Sequence, residues 1–142
     1  MQAKFLVDYS DILFNKTIAL PDRNETYVEI RFDKFIERLF PNQEKFIESS
    51  SFGDISKKLS EKYGNDNDCF ETMGVLETIL INKLKFYQPN VGVNGPKHSE
   101  LEQPVYILKY SDSLLLYNGY HRLFAKMLKK ETEIEGYILT FD

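Results

Sequence analysis

The sequence predicts an α+β fold in which helices flank a mixed β-sheet within a single domain. Its 142 residues suffice for one hydrophobic core. Apolar residues make up 42% of the chain and charged residues 28%, as in ordinary globular proteins. Segments typical of strands and helices follow one another, and near the C-terminal end two strands come in direct succession as a hairpin. This order indicates a mixed sheet rather than a uniform strand–helix–strand repeat.

In the first half of the chain, five segments have the periodicity of regular structure. They are strands over residues 4–7, 17–20 and 27–32, and helices over residues 33–40 and 54–63. Asp33 and Asp54 are predicted helix caps, whereas Pro41 and Gly64 are predicted stops. A turn is expected at residues 21–24.

Apolar residues recur at helical spacing over residues 69–84 and predict a third helix with one buried stripe. The stripe consists of Phe70, Met73, Leu76, Leu80 and Leu84. Gly74 weakens this prediction. Residues 85–103 contain two Pro, two Gly and two Asn, and they are predicted to be a loop that begins with a short strand.

The C-terminal third has the clearest pattern. Strands over residues 104–110 and 114–117 are predicted to form a hairpin, and a helix over residues 120–130 and a strand over residues 134–141 follow it. Pro104 fits the first position of a strand, where a missing N–H matters least.

Charge and residue counts argue against several classes of protein. The net charge of −4 disfavours a protein that coats nucleic acid nonspecifically. The single cysteine, Cys69, can form no disulfide within the chain and is expected to be buried or at a helix cap. With two histidines, no metal ligands are assigned. The sequence has no apolar stretch of signal-peptide or transmembrane length, so a cytoplasmic protein without membrane contact is expected.

Residues 117–125 (YNGYHRLFA) place a glycine, a histidine and an arginine where a strand ends and a helix begins. Gly119 permits a sharp backbone turn. The N–H groups that open a helix lack acceptors and lie at its positive end, so they suit a phosphate. Arg122 can add a bidentate contact, and His121 can donate a hydrogen bond or transfer a proton near neutral pH. The alternative to phosphate binding is a purely structural segment, in which a hairpin ends, a helix begins and Arg122 faces solvent.

The ordered motifs of residues 103–139 resemble the core of the ParB/sulfiredoxin-like superfamily. Gln-Pro, two apolar strands, a Gly-x-His-Arg motif and a helix with small residues occur in the family's order. They are Gln103-Pro104, Asn118-Gly119, His121-Arg122 and Ala125. The resemblance implies a ParB/sulfiredoxin-like domain over residues 27–142, with residues 1–26 as an N-terminal extension packed on it.

Nucleotide phosphates are the ligand that this resemblance implies: CTP in ParB proteins, ATP in sulfiredoxins and ADP or ATP in the free-serine kinases. The phosphate-binding residues would be Asn118, Gly119, Tyr120, His121 and Arg122, with His121 as the catalytic candidate. A nucleoside triphosphate with Mg²⁺ is the expected cofactor. Tyr120 stands where sulfiredoxins have their catalytic cysteine, so reductase chemistry is not expected. Partition proteins carry a helix-turn-helix domain after this core, and chromosome partition by this chain alone is not expected.

Two features near the motif each have two interpretations. Residues 88–103 form either a surface connection or a lid that brings Lys97 and His98 to the ligand. Tyr117 and Tyr120 flank the turn, and each either stacks on a base or lies in the core, which is the commoner use of Tyr.

Three functions remain open. The first is a small domain that binds a nucleotide or another phosphate-bearing ligand, with or without nuclease or phosphotransferase activity. Glu71 and Glu77 precede the motif and are its candidate carboxylates. The alternative is a non-enzymatic protein-binding module of a phage or mobile element, one that engages a host or defence protein. The third is sequence-specific DNA binding, which fits the acidic charge least.

Overall fold

Two β-sheets and four α-helices make up the part of the chain that the computed structural model describes, namely residues 13–20, 25–64, 68–94 and 103–141. The strands are β1 (Leu13–Leu20), β2 (Glu25–Arg31), β3 (Val75–Leu80), β4 (Leu84–Lys85), β5 (Asn90–Asn94), β6 (Val105–Tyr110), β7 (Ser113–Asn118) and β8 (Glu133–Thr140). The helices are α1 (Phe32–Leu39), α2 (Ser49–Tyr63), α3 (Asp68–Met73) and α4 (Tyr120–Leu128), and a 3₁₀ turn covers Ile81–Lys83. None of the described helices is both long and apolar enough to cross a membrane.

The larger sheet has five strands in the order β3-β8-β6-β7-β4. β6 pairs antiparallel with β7 and parallel with β8. β3 pairs antiparallel with β8, and β4 pairs parallel with β7. The sheet is therefore mixed, and the predicted α+β class, with a mixed sheet and helices in a single domain, is confirmed.

The smaller sheet has three strands in the order β1-β2-β5, and both pairings are antiparallel. β1 contains the strand predicted over residues 17–20. The strand predicted over residues 4–7 and the turn predicted at 21–24 lie outside the described residues. Residues 85–103 are predicted to be mainly a loop, and this prediction is wrong for Asn90–Asn94, which form β5. Asn and Gly disfavour strands locally, and pairing with β2 supplies the order that the local sequence lacks.

The hairpin of β6 and β7 closes as the sequence predicts, in a two-residue turn. Ser111 and Asp112 have φ angles of 47° and 64°. Positive φ at both central positions is the signature of a type I′ turn, whose twist matches that of the flanking strands. A register irregularity falls between Tyr106 and Ile107, opposite the end of β7. The turn thus brings the last residues of β7 beside the first residues of β6.

Core side chains cover both faces of the larger sheet. On one face they come from the sheet, from α1 and α4 and from the smaller sheet, and include Ile30, Phe32, Phe35, Val105, Ile107, Leu116, Leu123 and Phe124. On the other face α2 and α3 cover the sheet through Ile55, Leu59, Phe70, Leu108, Leu115 and Leu139. Strand alternation explains the division, because Val105 and Ile107 belong to the first cluster and Leu108 to the second.

Residues 69–84 do not form the single helix that their periodicity predicts. α3 ends before Gly74, and the chain continues as β3. The Gly74 N–H donates to the Phe70 carbonyl at 2.8 Å, and a Cβ at Gly74 would lie 2.4 Å from that oxygen. The chain turns at this glycine, and pairing with β8 overrides the local helical spacing.

The predicted buried stripe is wrong for three of its members. Phe70 and Leu84 are fully buried, but Met73, Leu76 and Leu80 are 56%, 47% and 40% exposed. Leu76 and Leu80 share one face of strand β3, and that face is exposed, while Ile79 of the opposite face is buried.

Helices α1 and α2 begin earlier than predicted. α1 starts directly after Arg31, and Asp33 lies in its first turn, where its carboxylate accepts a hydrogen bond from the Arg31 guanidinium at 2.8 Å. α2 contains Asp54 in its interior, so Asp54 is not its cap. Gly64 ends α2 with a φ of 88°, as predicted.

Phe32→Ala is expected to lower the free energy of unfolding by about 3–5 kcal/mol, because it empties the centre of the core. Phe32 is fully buried, and its ring centroid lies 5.1 Å from that of Phe86 and 5.6 Å from that of Tyr120. Denaturant titration followed by circular dichroism measures the loss. Leu39→Ala is the control, since Leu39 is 46% exposed, and its effect should stay within about 0.5 kcal/mol. Equal losses in the two variants would contradict this description of the core.

Candidate functional site

Gly119 forms the turn between β7 and α4 and has a left-handed backbone, with φ 106° and ψ 27°. A Cβ at this position would lie 2.7 Å from Cγ1 of Val105, the first residue of β6. Conformation and space therefore both require glycine. The Gly119 N–H donates to the Asn118 side-chain oxygen at 2.7 Å, so Asn118 stabilises the turn through its own side chain.

Tyr120 opens α4, and its side chain is buried in the core. Its hydroxyl donates to the Leu116 carbonyl at 2.8 Å and accepts a hydrogen bond from the Tyr87 N–H at 2.9 Å. The ring makes edge contacts with Phe32 and Tyr87, at centroid distances of 5.6 and 5.4 Å. Of the two interpretations of Tyr120, the structure therefore supports a place in the core over stacking on a base. Only its backbone N–H can contribute to a site.

Tyr117, on the other side of the turn, lies half-buried on the opposite face of the sheet. Its ring centroid is 5.1 Å from that of Phe70. Its carbonyl accepts a hydrogen bond from the Tyr87 hydroxyl at 2.8 Å. Tyr117 therefore packs beneath α3 rather than at the start of α4.

The first turn of α4 has no side-chain cap, since its N-cap residue is Gly119. The first backbone bond of the helix runs from the Leu123 N–H to the Gly119 carbonyl at 3.0 Å. The N–H groups of Tyr120 and Arg122 come before that bond, so the helix itself supplies them no acceptor. They lie at the positive end of the helix dipole, where an anion is stabilised.

Arg122 is half-buried, and its guanidinium is held at the start of β6. Nη1 donates to the Pro104 carbonyl at 2.7 Å, and Nη2 donates to the Gln103 side-chain oxygen at 3.4 Å. The guanidinium carbon lies 6.0 Å from the centre of the Tyr106 ring, within range of a cation–π contact. These contacts orient the guanidinium while leaving it further N–H donors.

A carboxylate from α3 reaches the same end of the sheet. The Tyr106 hydroxyl donates to Glu71 Oε1 at 2.6 Å, joining α3 to the residue that lies beneath Arg122. Burial, and after it the Glu71 carboxylate, raises the pKa of Tyr106 to about 12, while Arg122 acts in the opposite direction. Glu71, Gln103, Tyr106 and Arg122 are called the polar cluster below.

Of the residues singled out in the sequence, the structure brings together Asn118, Gly119, Arg122 and the backbone of Tyr120. His121 occupies the first turn of α4 and is exposed. Lys97 and His98 lie outside the described residues.

Two members of the polar cluster carry no functional assignment in the sequence. Tyr106 is an ordinary strand residue by pattern, and Gln103 is only a family marker. In the sequence, only the positions of Gln103, directly before β6, and of Arg122, near the start of α4, could have indicated that these two side chains meet.

The donors at this site suit an anion better than a protein-bound metal. Within the described ranges, no three His, Cys, Asp or Glu side chains are grouped as metal ligands. Amide N–H groups and a guanidinium are hydrogen-bond donors to phosphate oxygens. Mg²⁺ often binds through one or two carboxylates together with substrate phosphates. Glu71 could serve in that way for an ion that arrives with a nucleotide.

Comparisons with family models, curated proteins and solved structures gave no match for this chain. The resemblance to the ParB/sulfiredoxin-like superfamily therefore stays a hypothesis that rests on the residues named above.

Gly119→Ala is expected to destabilise the fold by about 1–3 kcal/mol, because the left-handed backbone and the contact with Val105 both oppose a Cβ. Gly53→Ala is the matched control. Gly53 lies inside α2 with open space around it, so alanine there should stabilise by roughly 0.5–1 kcal/mol. Denaturant titrations of both variants give the comparison. If Gly119→Ala left the stability unchanged, the turn would not be constrained as described.

Stability is expected to fall as the pH rises above about 10, the ordinary pKa of tyrosine in an unfolded chain. Burial raises the pKa of Tyr87 and Tyr120, and that of Tyr106 is raised to about 12. The unfolded chain therefore loses these protons first, and the folded state loses stability between pH 10 and the higher folded pKa values. Urea titrations from pH 8 to pH 11 test this, and Tyr106→Phe should flatten the decline. An unchanged slope in that variant would remove Tyr106 from the explanation.

Proposed function

We propose that this chain is a ParB/sulfiredoxin-like domain that binds a nucleotide, or another phosphate-bearing ligand, at the start of α4. The observation that carries the proposal is the position of the Arg122 guanidinium. Pro104 and Gln103 hold it beside a helix start that has no side-chain cap. Fixed N–H donors and a fixed positive charge at one place form a site for phosphate oxygens.

The phosphate would accept hydrogen bonds from the first-turn amides and from Arg122. The amides are fixed by the backbone, and the buried Tyr120 ring holds that backbone against the sheet. The guanidinium is oriented before binding by its two existing bonds, so little side-chain freedom is lost when a ligand arrives. The arrangement also explains how a chain of net charge −4 can offer a local anion site.

Catalysis would need more than binding, and the chain has two proton-accepting groups at this end of the sheet. They are the Glu71 carboxylate, on the Tyr106 hydroxyl, and the His121 imidazole. Phosphoryl transfer depends chiefly on positioning and on neutralising charge, and a divalent ion bound with the ligand would supply the neutralisation. Nuclease or phosphotransferase activity is thus an extension of the proposal that binding alone does not establish.

A thermal-shift series tests the binding. The wild-type chain is heated with CTP, ATP, ADP, GTP or inorganic phosphate, each with and without Mg²⁺. A ligand present at about one hundred times its Kd stabilises the folded state by about 2.7 kcal/mol, which raises the melting temperature. Arg122→Ala should abolish the response.

Lys126→Ala is the matched control for charge. It removes a cation from the same helix, one that pairs with Glu131 at 3.6 Å, and the response should remain. Arg122→Lys keeps the charge but loses the planar fork, so a weaker response is expected. No response of the wild-type chain to any of these ligands would contradict the proposal. A response that survives Arg122→Ala would move the site elsewhere.

A further inference from the structure

Strand β3 forms one edge of the larger sheet, and its outer side has no paired strand in the described part of the chain. Its six residues read VLETIL, and Glu77 is the single charge among them. They pair with β8 without a register shift. Val75 is 61% exposed, and Leu76 and Leu80 are exposed as well. Natural edge strands are usually protected by lysine, proline, a bulge or a covering segment. β3 has none of the first three.

The free hydrogen-bonding groups of β3 can be assigned from its pairing. The Ile81 N–H donates to the Thr132 carbonyl at 2.9 Å, one step beyond the Leu80↔Glu133 pair. In an antiparallel pair, hydrogen-bonded and non-bonded positions alternate. The odd-numbered residues of β3 therefore bond to β8. The N–H and C=O groups of Leu76, Thr78 and Leu80 point away from the sheet.

The same three residues are self-complementary. If a second β3 lies antiparallel with a two-fold axis at Thr78, then Thr78 meets its own copy and Leu76 meets Leu80 of the other copy. All the outward backbone groups of both strands are then paired. Threonine pairs and apolar pairs across strands are stabilising. Each Glu77 lies opposite Ile79 of the other copy, so no two carboxylates meet directly.

The neighbouring two-fold register is worse. An axis at Glu77 would set two carboxylates opposite each other, which is destabilising. It would also leave the outward groups of Leu80 beyond the other β3. Charge and hydrogen bonding thus select the same register.

We propose that a second copy of this chain docks on β3, in antiparallel pairing about Thr78, and that one continuous sheet runs through both copies. The interface is isologous, as two-fold dimers require. A contact limited mainly to one edge strand buries less than the roughly 1,200 Å² of a standard interface. The dimer is therefore weak and forms at micromolar or higher concentration. This inference is independent of the ligand site at α4.

Sedimentation velocity over a concentration series, with the full chain, tests the dimer. Thr78→Pro removes the outward N–H, which β8 does not use, so the folded monomer tolerates it as edge strands tolerate proline. It should weaken dimerisation at least about tenfold, because two hydrogen bonds across the axis are lost. Thr78→Ala keeps the N–H and should still dimerise. Circular dichroism of both variants checks that they fold.

Disulfide trapping tests the register separately, in a Cys69→Ala background. In the proposed dimer two Thr78 residues form a hydrogen-bonded pair with Cα atoms about 5.5 Å apart, within disulfide range. Thr78→Cys should cross-link under mild oxidation, and Glu77→Cys, whose copies lie diagonally, should not. A chain that is monomeric at every concentration would overturn the proposal and leave β3 to a strand of another protein. The proposal would also be overturned if Thr78→Pro dimerised as strongly as the wild-type chain, or if Glu77→Cys cross-linked better than Thr78→Cys.

Discussion

The burial of the Tyr120 side chain is the interaction on which the start of α4 depends. The ring lies among Phe32, Phe86 and Tyr87, and the hydroxyl is bonded on both sides, to Leu116 and to the Tyr87 backbone. Because the hydroxyl is satisfied, burying it costs little while the ring contributes its full apolar area. The first residue of α4 is thereby fixed to the end of β7 and to the segment after β4. Because Tyr120 is the first residue of α4, its anchoring also fixes the position of the amides in the first turn of that helix.

The four consecutive residues from Gly119 to Arg122 have different structural positions at this turn. Gly119 makes the close approach to Val105, and Tyr120 anchors the helix in the core. His121 is exposed, and Arg122 returns to β6 through Pro104. Stability and the candidate site therefore share one short segment but not the same atoms. A change at Gly119 or Tyr120 therefore acts through the fold.

The sequence predicts the C-terminal region well because its signals there are local. The apolar runs over residues 104–110 and 114–117 predict the hairpin, and Gly119 marks the start of α4. Residues 69–84 are different, because their leucines satisfy a helical stripe and a strand equally well. Only the pairing with β8, a long-range contact, selects the strand.

The candidate site divides in the same way. Its backbone part, Gly119 and the first turn of α4, is local and visible in the sequence. Its polar cluster is not, because Tyr106 and Glu71 are 35 residues apart and meet only once α3 packs on the sheet. No periodicity of either segment signals that hydrogen bond.

The order of charges within the polar cluster bears on whether an anion would be held. If Glu71 paired directly with Arg122, the guanidinium would be neutralised and the carboxylate would repel a phosphate. Instead the Tyr106 hydroxyl takes the carboxylate, and the Tyr106 ring lies beneath the guanidinium. The Tyr106 hydroxyl is protonated at neutral pH, as a tyrosine ordinarily is, and its raised pKa of about 12 keeps it a donor to Glu71 at higher pH as well. The tyrosine thus separates the two charges and leaves Arg122 with further N–H donors for the anion that we propose to bind at the start of α4.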